Sequence, residues 1–223
     1  VATELLRRRR ELAKELGHPS FHAAMLEVRG ANPATTHRVL ADLDARTRRP
    51  LFEALGPGGR MVRRVRVASW DVDHVLHRQA SVPHQRFPAD RAHPVALGIY
   101  RAFGFDVAGW NLDLRVRDFA FGGQTIAITV PNDVRLVVRA LPGIRYYGLL
   151  LHELGHAVAV RSTEVSEPLF KGYEWVPGLL DPAFAEGSAE FFGRLLDEAS
   201  VLRDHLGLEP QEIETVRRAR RLE

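Results

Sequence analysis

His152 and His156 stand four residues apart with Glu153 directly after the first of them, inside an apolar run from Tyr147 to Val160 whose pattern predicts a single helix. Residues four apart share a helix face. Two imidazole nitrogens can therefore reach one metal ion, with the Glu153 carboxylate beside it and within reach of a water on that metal. An H-E-x-x-H pattern should arise by chance in roughly three of a hundred chains of this length and composition, so the reading needs a third ligand.

Thirty residues on, the segment Pro182-Ala183-Phe184-Ala185-Glu186-Gly187-Ser188-Ala189-Glu190-Phe191-Phe192 reads as a second helix, with Asp181 as N-cap and Pro182 in its first turn. Glu186 and Glu190 share one face of it. Catalytic zinc takes three protein ligands and keeps one position open, and two His with one Glu is a known catalytic set. Glu186 is accordingly assigned as the third ligand. Glu190, one turn later, is placed to accept the second ring N–H of a ligating histidine, His152 being the expected partner, and so to set its tautomer. Surface glutamates are the usual alternative. Phe184, Phe191, Phe192, Leu195 and Leu196 crowd the same helix and argue against a purely solvated one.

The chemistry this set predicts is zinc-dependent hydrolysis of a peptide bond. Zinc brings the pKa of its water down to about 7, and Glu153 takes the proton and returns it to the leaving amine. A donor for the tetrahedral oxyanion is also required. Tyr146, Tyr147, Tyr173 and His205 are the candidates, and the residue types do not choose among them.

Several elements must position these groups. The first third is helical by pattern: Glu4 to Leu16 stopped by Gly17, Ser20 to Val28 stopped by Gly30, and Pro33 to Leu55 with Pro50 as a kink or break. Gly56-Pro57-Gly58-Gly59 reads as a linker dividing an N-terminal helical segment, residues 1–56, from a catalytic region, residues 57–223. A helix from Ser69 across Trp70 to Gln79, a Pro- and His-rich loop from Ser81 to Pro94, and a helix from Val95 to Phe103 follow. Strands are expected at Leu112 to Arg117, Thr125 to Val130 and Val134 to Val138, the last two around a Pro131-Asn132-Asp133 turn. The metal helices run from Gly143 to Val160 and from Pro182 to Ala199, and a polar helix from Pro210 to Leu222 closes the chain. The fold class is thus mainly α with a small antiparallel sheet, an α+β arrangement around zincin-like active-site helices.

At 223 residues and 45% hydrophobic, the chain can bury a core of its own. It has no cysteine, so any metal must be held by His and carboxylate. No apolar run approaches the roughly 18 to 20 residues of a membrane span, and no signal-peptide pattern opens the chain, so a cytoplasmic location without membrane attachment is expected. The net charge of +3 hides an asymmetry: residues 1–66 carry 14 basic and 7 acidic side chains, residues 161–202 carry 3 and 8. The run Arg7 to Arg10 lies among Leu5, Leu12 and Leu16 at helical spacing, with Glu11 and Glu15 as i,i+4 partners. A solvated helix face explains it more simply than nucleic-acid binding, since no aromatic-interleaved basic platform accompanies it. His74, His77, His84 and His93 are irregularly spaced among Arg and Pro and read as surface histidines, not as a second metal site.

The run Arg139-Ala140-Leu141-Pro142-Gly143-Ile144-Arg145-Tyr146-Tyr147-Gly148-Leu149-Leu150-Leu151-His152-Glu153-Leu154-Gly155-His156, with Phe184-Ala185-Glu186-Gly187-Ser188-Ala189-Glu190, resembles the gluzincin oligopeptidases of the thimet oligopeptidase and oligopeptidase F type and their angiotensin-converting-enzyme-like relatives. Ser69-Trp70-Asp71-Val72-Asp73, the segment Leu43 to Phe52 and the segment Gly104 to Val134 extend the resemblance more weakly upstream. It implies a mostly helical peptidase with a deep channel that admits short peptides and excludes folded proteins, with an edge strand near Thr125 to Val130 pairing with substrate backbone. Such enzymes are usually much longer, and their oxyanion-stabilising His and Tyr lie well beyond the third ligand. Ala157-Val158-Ala159-Val160 also departs from their common pattern after the second His. The resemblance therefore implies a compact relative, a fragment, or one half of a split enzyme completed by a second chain or a missing segment. The competing expectation is a catalytically silent module that binds zinc or peptide; retention of Glu153 favours the enzyme, because a binding site has no use for a general base.

Overall fold

Helix signals in the first third act where their side chains can cap. The computed structural model describes residues 1–54, 61–62, 65–66, 69–72, 82–164, 166–167 and 182–221. Helix α1 (Ala2–Glu15) ends before Gly17, whose φ of 77° turns the chain. Helix α2 (Phe21–Val28) starts at Ser20, whose hydroxyl accepts from Ala23 N–H at 3.1 Å. Helix α3 (Pro33–Ala54) starts with Asn32 accepting from Thr35 N–H at 3.1 Å. Pro50 was expected to kink or break α3, and the helix runs through it. Residues 37–53 are all exposed, so the carbonyl that Pro50 leaves without an N–H meets water instead of a dry interior. Arg7 pairs with Glu4 and Glu11 along α1, the solvated face expected of the arginine run. The Gly56–Gly59 linker lies outside the described residues.

Beyond it, β1 (Met61–Val62) and β2 (Val65–Arg66) pair antiparallel. Ser69–Asp71 form a single 3₁₀ turn; most of the helix expected to follow, with His74 and His77, lies outside the described residues. Helix α4 (Ala89–Ala102) begins six residues before the expected Val95 and contains Pro94. Ala92, Val95, Ala96, Ile99 and Tyr100 form its buried stripe. Burial of Ala92 on that stripe extends the helix back through a proline whose missing N–H costs one bond near the first turn.

Strands β3 (Asp113–Val116), β4 (Gly123–Thr129) and β5 (Asp133–Val138) form one sheet in the order β3-β5-β4. β4 and β5 are an antiparallel pair, but β3 runs parallel to β5, so the sheet is mixed and not antiparallel as expected. Alternating hydrophobicity reports which face of a strand is buried and carries no information on its neighbour's direction. Val134, Leu136 and Val138 of the central strand are buried and form the sheet's contribution to the core.

Against this sheet lies α5 (Ile144–Arg161), and across α5 lies α6 (Pro182–Gly193). The helix expected to continue to Ala199 instead tightens into a 3₁₀ turn, Arg194–Asp197, that turns both Leu195 and Leu196 inward; extended backbone at Glu198 then starts α7 (Ala199–Leu206), a helix the sequence pattern does not predict. Gly207, at φ 66°, ends α7. Helix α8 (Pro210–Arg220) begins with a capping box between Glu209 and Glu212. The described residues thus build a mainly helical fold with a small three-stranded mixed sheet, of α+β type, and none of their helices is long and apolar enough to cross a membrane.

Candidate metal centre

Leu150, Leu151, Leu154, Ala157 and Val158 bury one side of α5, which leaves His152 and His156 on a partly open side. Two hydrogen bonds from other elements fasten the helix at this level. The fully buried Tyr100 of α4 donates its hydroxyl to Leu151 O at 2.5 Å, and Thr125 of β4 places Oγ1 2.8 Å from Glu153 O. At the start of α5, Gly143 holds φ 68° and ψ −151°, and a Cβ there would lie 2.4 Å from His84 Nδ1. Only glycine fits that turn.

Gly155 brings the second helix in. A Cβ on it would lie 2.8 Å from Ala189 Cα and 3.1 Å from Phe192 Cδ2, so α5 and α6 cross here at glycine separation. The crossing delivers Glu186 to the histidines. Its Oε2 stands 3.5 Å from His152 Nε2 and 3.7 Å from His156 Nε2, and one ligand atom from each of the three residues lies within 4.8 Å of the others. Tetrahedral nitrogen and oxygen ligands around zinc at 2.0–2.2 Å would stand roughly 3.3–3.6 Å apart, so the group is near the size such an ion requires. His152, His156 and Glu186 form a group that can hold a metal ion. Burial first, and the neighbouring His152 second, hold the His156 imidazole below its usual pKa, which favours the neutral form a metal needs.

The other nitrogen of His152, Nδ1, lies 3.5 Å from Glu190 Oε2, on the side where an orienting carboxylate is expected. Glu190 in turn accepts from Arg194 Nε at 2.6 Å, and Arg194 faces Asp197, which pairs with Arg220 of α8. Arg220 also donates to Gly193 O at 3.1 Å. A chain of alternating charges thus runs from Glu190, beside His152, to the last helix. Arg194 and Arg220 escaped the sequence reading; the only local sign of Arg194 was its i,i+4 spacing from Glu190.

Glu153 is 5% exposed and is not one of the three metal-holding residues. Its Oε2 lies 2.9 Å from Thr125 Oγ1 and shares that hydroxyl's one hydrogen with Glu153 O. Gly123, two residues earlier on β4, makes room: a Cβ there would lie 2.7 Å from both Cγ and Oε1 of Glu153. Gly123 has no mark in the sequence and Thr125 appears there only as the start of an expected edge strand; nothing links either to a glutamate some thirty residues away. A cleft of about 500 Å³ opens over these groups, lined by Phe121, Gly123, Gln124, Thr125, His152, Glu153, His156 and Glu186. Phe121 is 52% exposed and its ring centroid is 4.0 Å from that of Phe119.

The strand that walls the cleft is an edge strand. Arg139 N–H donates to Gly122 O at 2.7 Å, which makes 122 and 139 a hydrogen-bonded pair. Antiparallel ladders alternate, so Gln124 and Ile126 bond toward β5 while Gly123 and Thr125 turn their peptide groups to the edge where no described strand pairs.

The three oxyanion candidates among the described residues, Tyr146, Tyr147 and His205, are not brought to this cleft. Tyr146 and Tyr147 are buried in the core, and the Tyr147 hydroxyl donates to Pro88 O at 2.8 Å. His205 sits on α7 facing α4, with its Nδ1 3.5 Å from where a Cβ on Gly98 would be. None of the three lines the cleft, and Tyr173 and Asp181 lie outside the described residues. A tyrosine at helical spacing looks the same in sequence whether it faces the core or a site. Set against known protein families, curated proteins and solved structures, the chain matches none.

Proposed function

We propose that this protein is a zinc-dependent peptidase of the gluzincin type that cleaves short peptides. The observation that carries the reading is the pairing of a His-His-Glu group with a second, buried carboxylate, Glu153, at the same cleft and outside the group itself. A site that only binds metal has no need of that carboxylate. Held by His152, His156 and Glu186, zinc would supply a Lewis acid that polarises the scissile carbonyl and acidifies water. Glu153 then acts as general base toward the attacking water and passes the proton to the leaving amine. Glu190 orients His152, and the outward peptide groups of Gly123 and Thr125 offer a substrate backbone the ladder bonds of an added strand. Phe121, the large apolar side chain among the described lining residues and backed by Phe119, suits peptides with a bulky apolar side chain near the scissile bond. The resemblance of the two metal segments to gluzincin oligopeptidases supports the roles given to His152, Glu153, His156 and Glu186.

The test is cleavage of a peptide library by the zinc-loaded protein. Cleavage dependent on zinc, enriched for bulky apolar side chains, with that enrichment lost in Phe121→Ala, is the expected result. A zinc-replete protein that leaves every peptide intact would favour a second reading, a silent zinc- or peptide-binding module or one half of a split peptidase. One observation supports that second reading: neither Tyr146, Tyr147 nor His205 lines the cleft as an oxyanion donor.

A further inference from the structure

Thr125 and Glu153 are both buried polar residues, and they touch. A threonine hydroxyl has one hydrogen, and here two oxygens of the same residue lie within its reach, Glu153 Oε2 at 2.9 Å and Glu153 O at 2.8 Å. The hydroxyl therefore sits in a notch between the carboxylate and its own helix backbone, and ties the direction of one to the other. A glutamate side chain has three rotatable bonds, each with several staggered wells, and a hydrogen bond at its end narrows the choice among them. The opposite oxygen, Oε1, lies over Gly123, where any Cβ would come within 2.7 Å of it. Positions 123 and 125 point to the same face of β4, since side chains alternate along a strand. One position withholds a side chain and the next supplies a hydrogen bond, so the strand clasps the carboxylate from two sides.

We infer that Thr125 is a positioning residue: its hydroxyl, with the space left by Gly123, holds the Glu153 carboxylate in the single orientation that faces the cleft. The inference rests on the reading of Glu153 as general base and extends it to the group that aims it. Displacements of about 1 Å at a reacting group can cost on the order of a hundredfold in rate, so loss of the hydroxyl should act on turnover and leave peptide binding and metal binding alone.

Zinc-loaded wild type, Thr125→Val and Thr125→Ser are compared in steady-state peptide hydrolysis, zinc content and crystal structures. Valine keeps the shape and β-preference of threonine without its hydroxyl; serine keeps the hydroxyl. The expected result is a fall in kcat of roughly tenfold to a hundredfold in Thr125→Val at unchanged KM and zinc content, a displaced or split Glu153 carboxylate in its structure, and recovery to within about threefold of wild type in Thr125→Ser. An unmoved carboxylate in Thr125→Val, or Thr125→Ser as impaired as Thr125→Val, overturns the inference. Should wild type hydrolyse no peptide, the peptidase reading falls by itself, and the position of the Glu153 carboxylate in the two variant structures still decides the role of Thr125.

Discussion

Gly155 and Ala189 meet where the two metal-bearing helices cross, and a Cβ on Gly155 would lie 2.8 Å from Ala189 Cα. The glycine stands between His152 and His156 in sequence, and Ala189 stands between Glu186 and Glu190. The helix separation that places Glu186 3.5 Å from His152 is therefore set inside the motif itself.

Gly155→Ala should push α6 outward. Overpacking of this kind costs typically 1–3 kcal/mol, and the third ligand would retreat with its helix. A lowered melting temperature together with zinc affinity reduced by tenfold or more is the expected outcome, read by thermal denaturation and competitive zinc titration. Unchanged zinc affinity would show that Glu186 does not depend on this crossing.

Metal analysis should find about one zinc per chain, lost on alanine substitution of His152, His156 or Glu186. Because a ligand that binds only the folded state stabilises it, zinc at a hundred times its Kd adds about 2.7 kcal/mol, roughly 5–10 °C in Tm for a chain of this size. A chelator should reverse that shift in wild type and produce none in the triple alanine variant. A variant with unchanged metal content would remove these residues from the site.

Glu190 and Glu186 should separate by magnitude. Glu186→Ala should abolish tight zinc binding, whereas Glu190→Ala should weaken zinc affinity or activity by roughly 10- to 100-fold, as expected of a carboxylate that touches a ligand and not the metal. Arg194→Ala, which removes the guanidinium 2.6 Å from Glu190, should shift activity in the same direction and by less. The reverse order of the two glutamates in zinc titrations would make Glu190 the ligand.

Glu153→Gln should keep both fold and zinc, since the residue lies outside the metal-holding group. Peptide hydrolysis should fall by at least the roughly 10²- to 10⁴-fold typical of general acid–base catalysis. A zinc-replete Glu153→Gln protein as active as wild type would falsify the proposed mechanism.

The His152–Glu153–His156 motif was legible because its geometry is local: 3.6 residues per turn puts the two histidines on one face wherever a helix forms. The same rule paired Glu186 with Glu190 and located the three N-terminal helices, whose caps and glycine stops are also local. The rule fails where contact with the rest of the chain decides. Burial of Ala92 carried α4 back through Pro94, and burial of Leu195 and Leu196 goes with an early end to the second metal helix, at Gly193 instead of Ala199.

Strand alternation likewise announced three strands and could not order them, because the parallel neighbour of β3 is chosen by the path of the connection and not by the pattern of either strand. The distance from Glu186 to the histidines, the clasp of Gly123 and Thr125 on Glu153, and the placement of Tyr146 and Tyr147 in the core are of the same kind. Each depends on which surfaces exclude water together, a property of packed elements and not of any one segment. Sequence alone determined which side chains could do chemistry on one helix face; tertiary structure decided which groups from other elements reach them, since backbone periodicity acts over a turn and packing acts across the whole core.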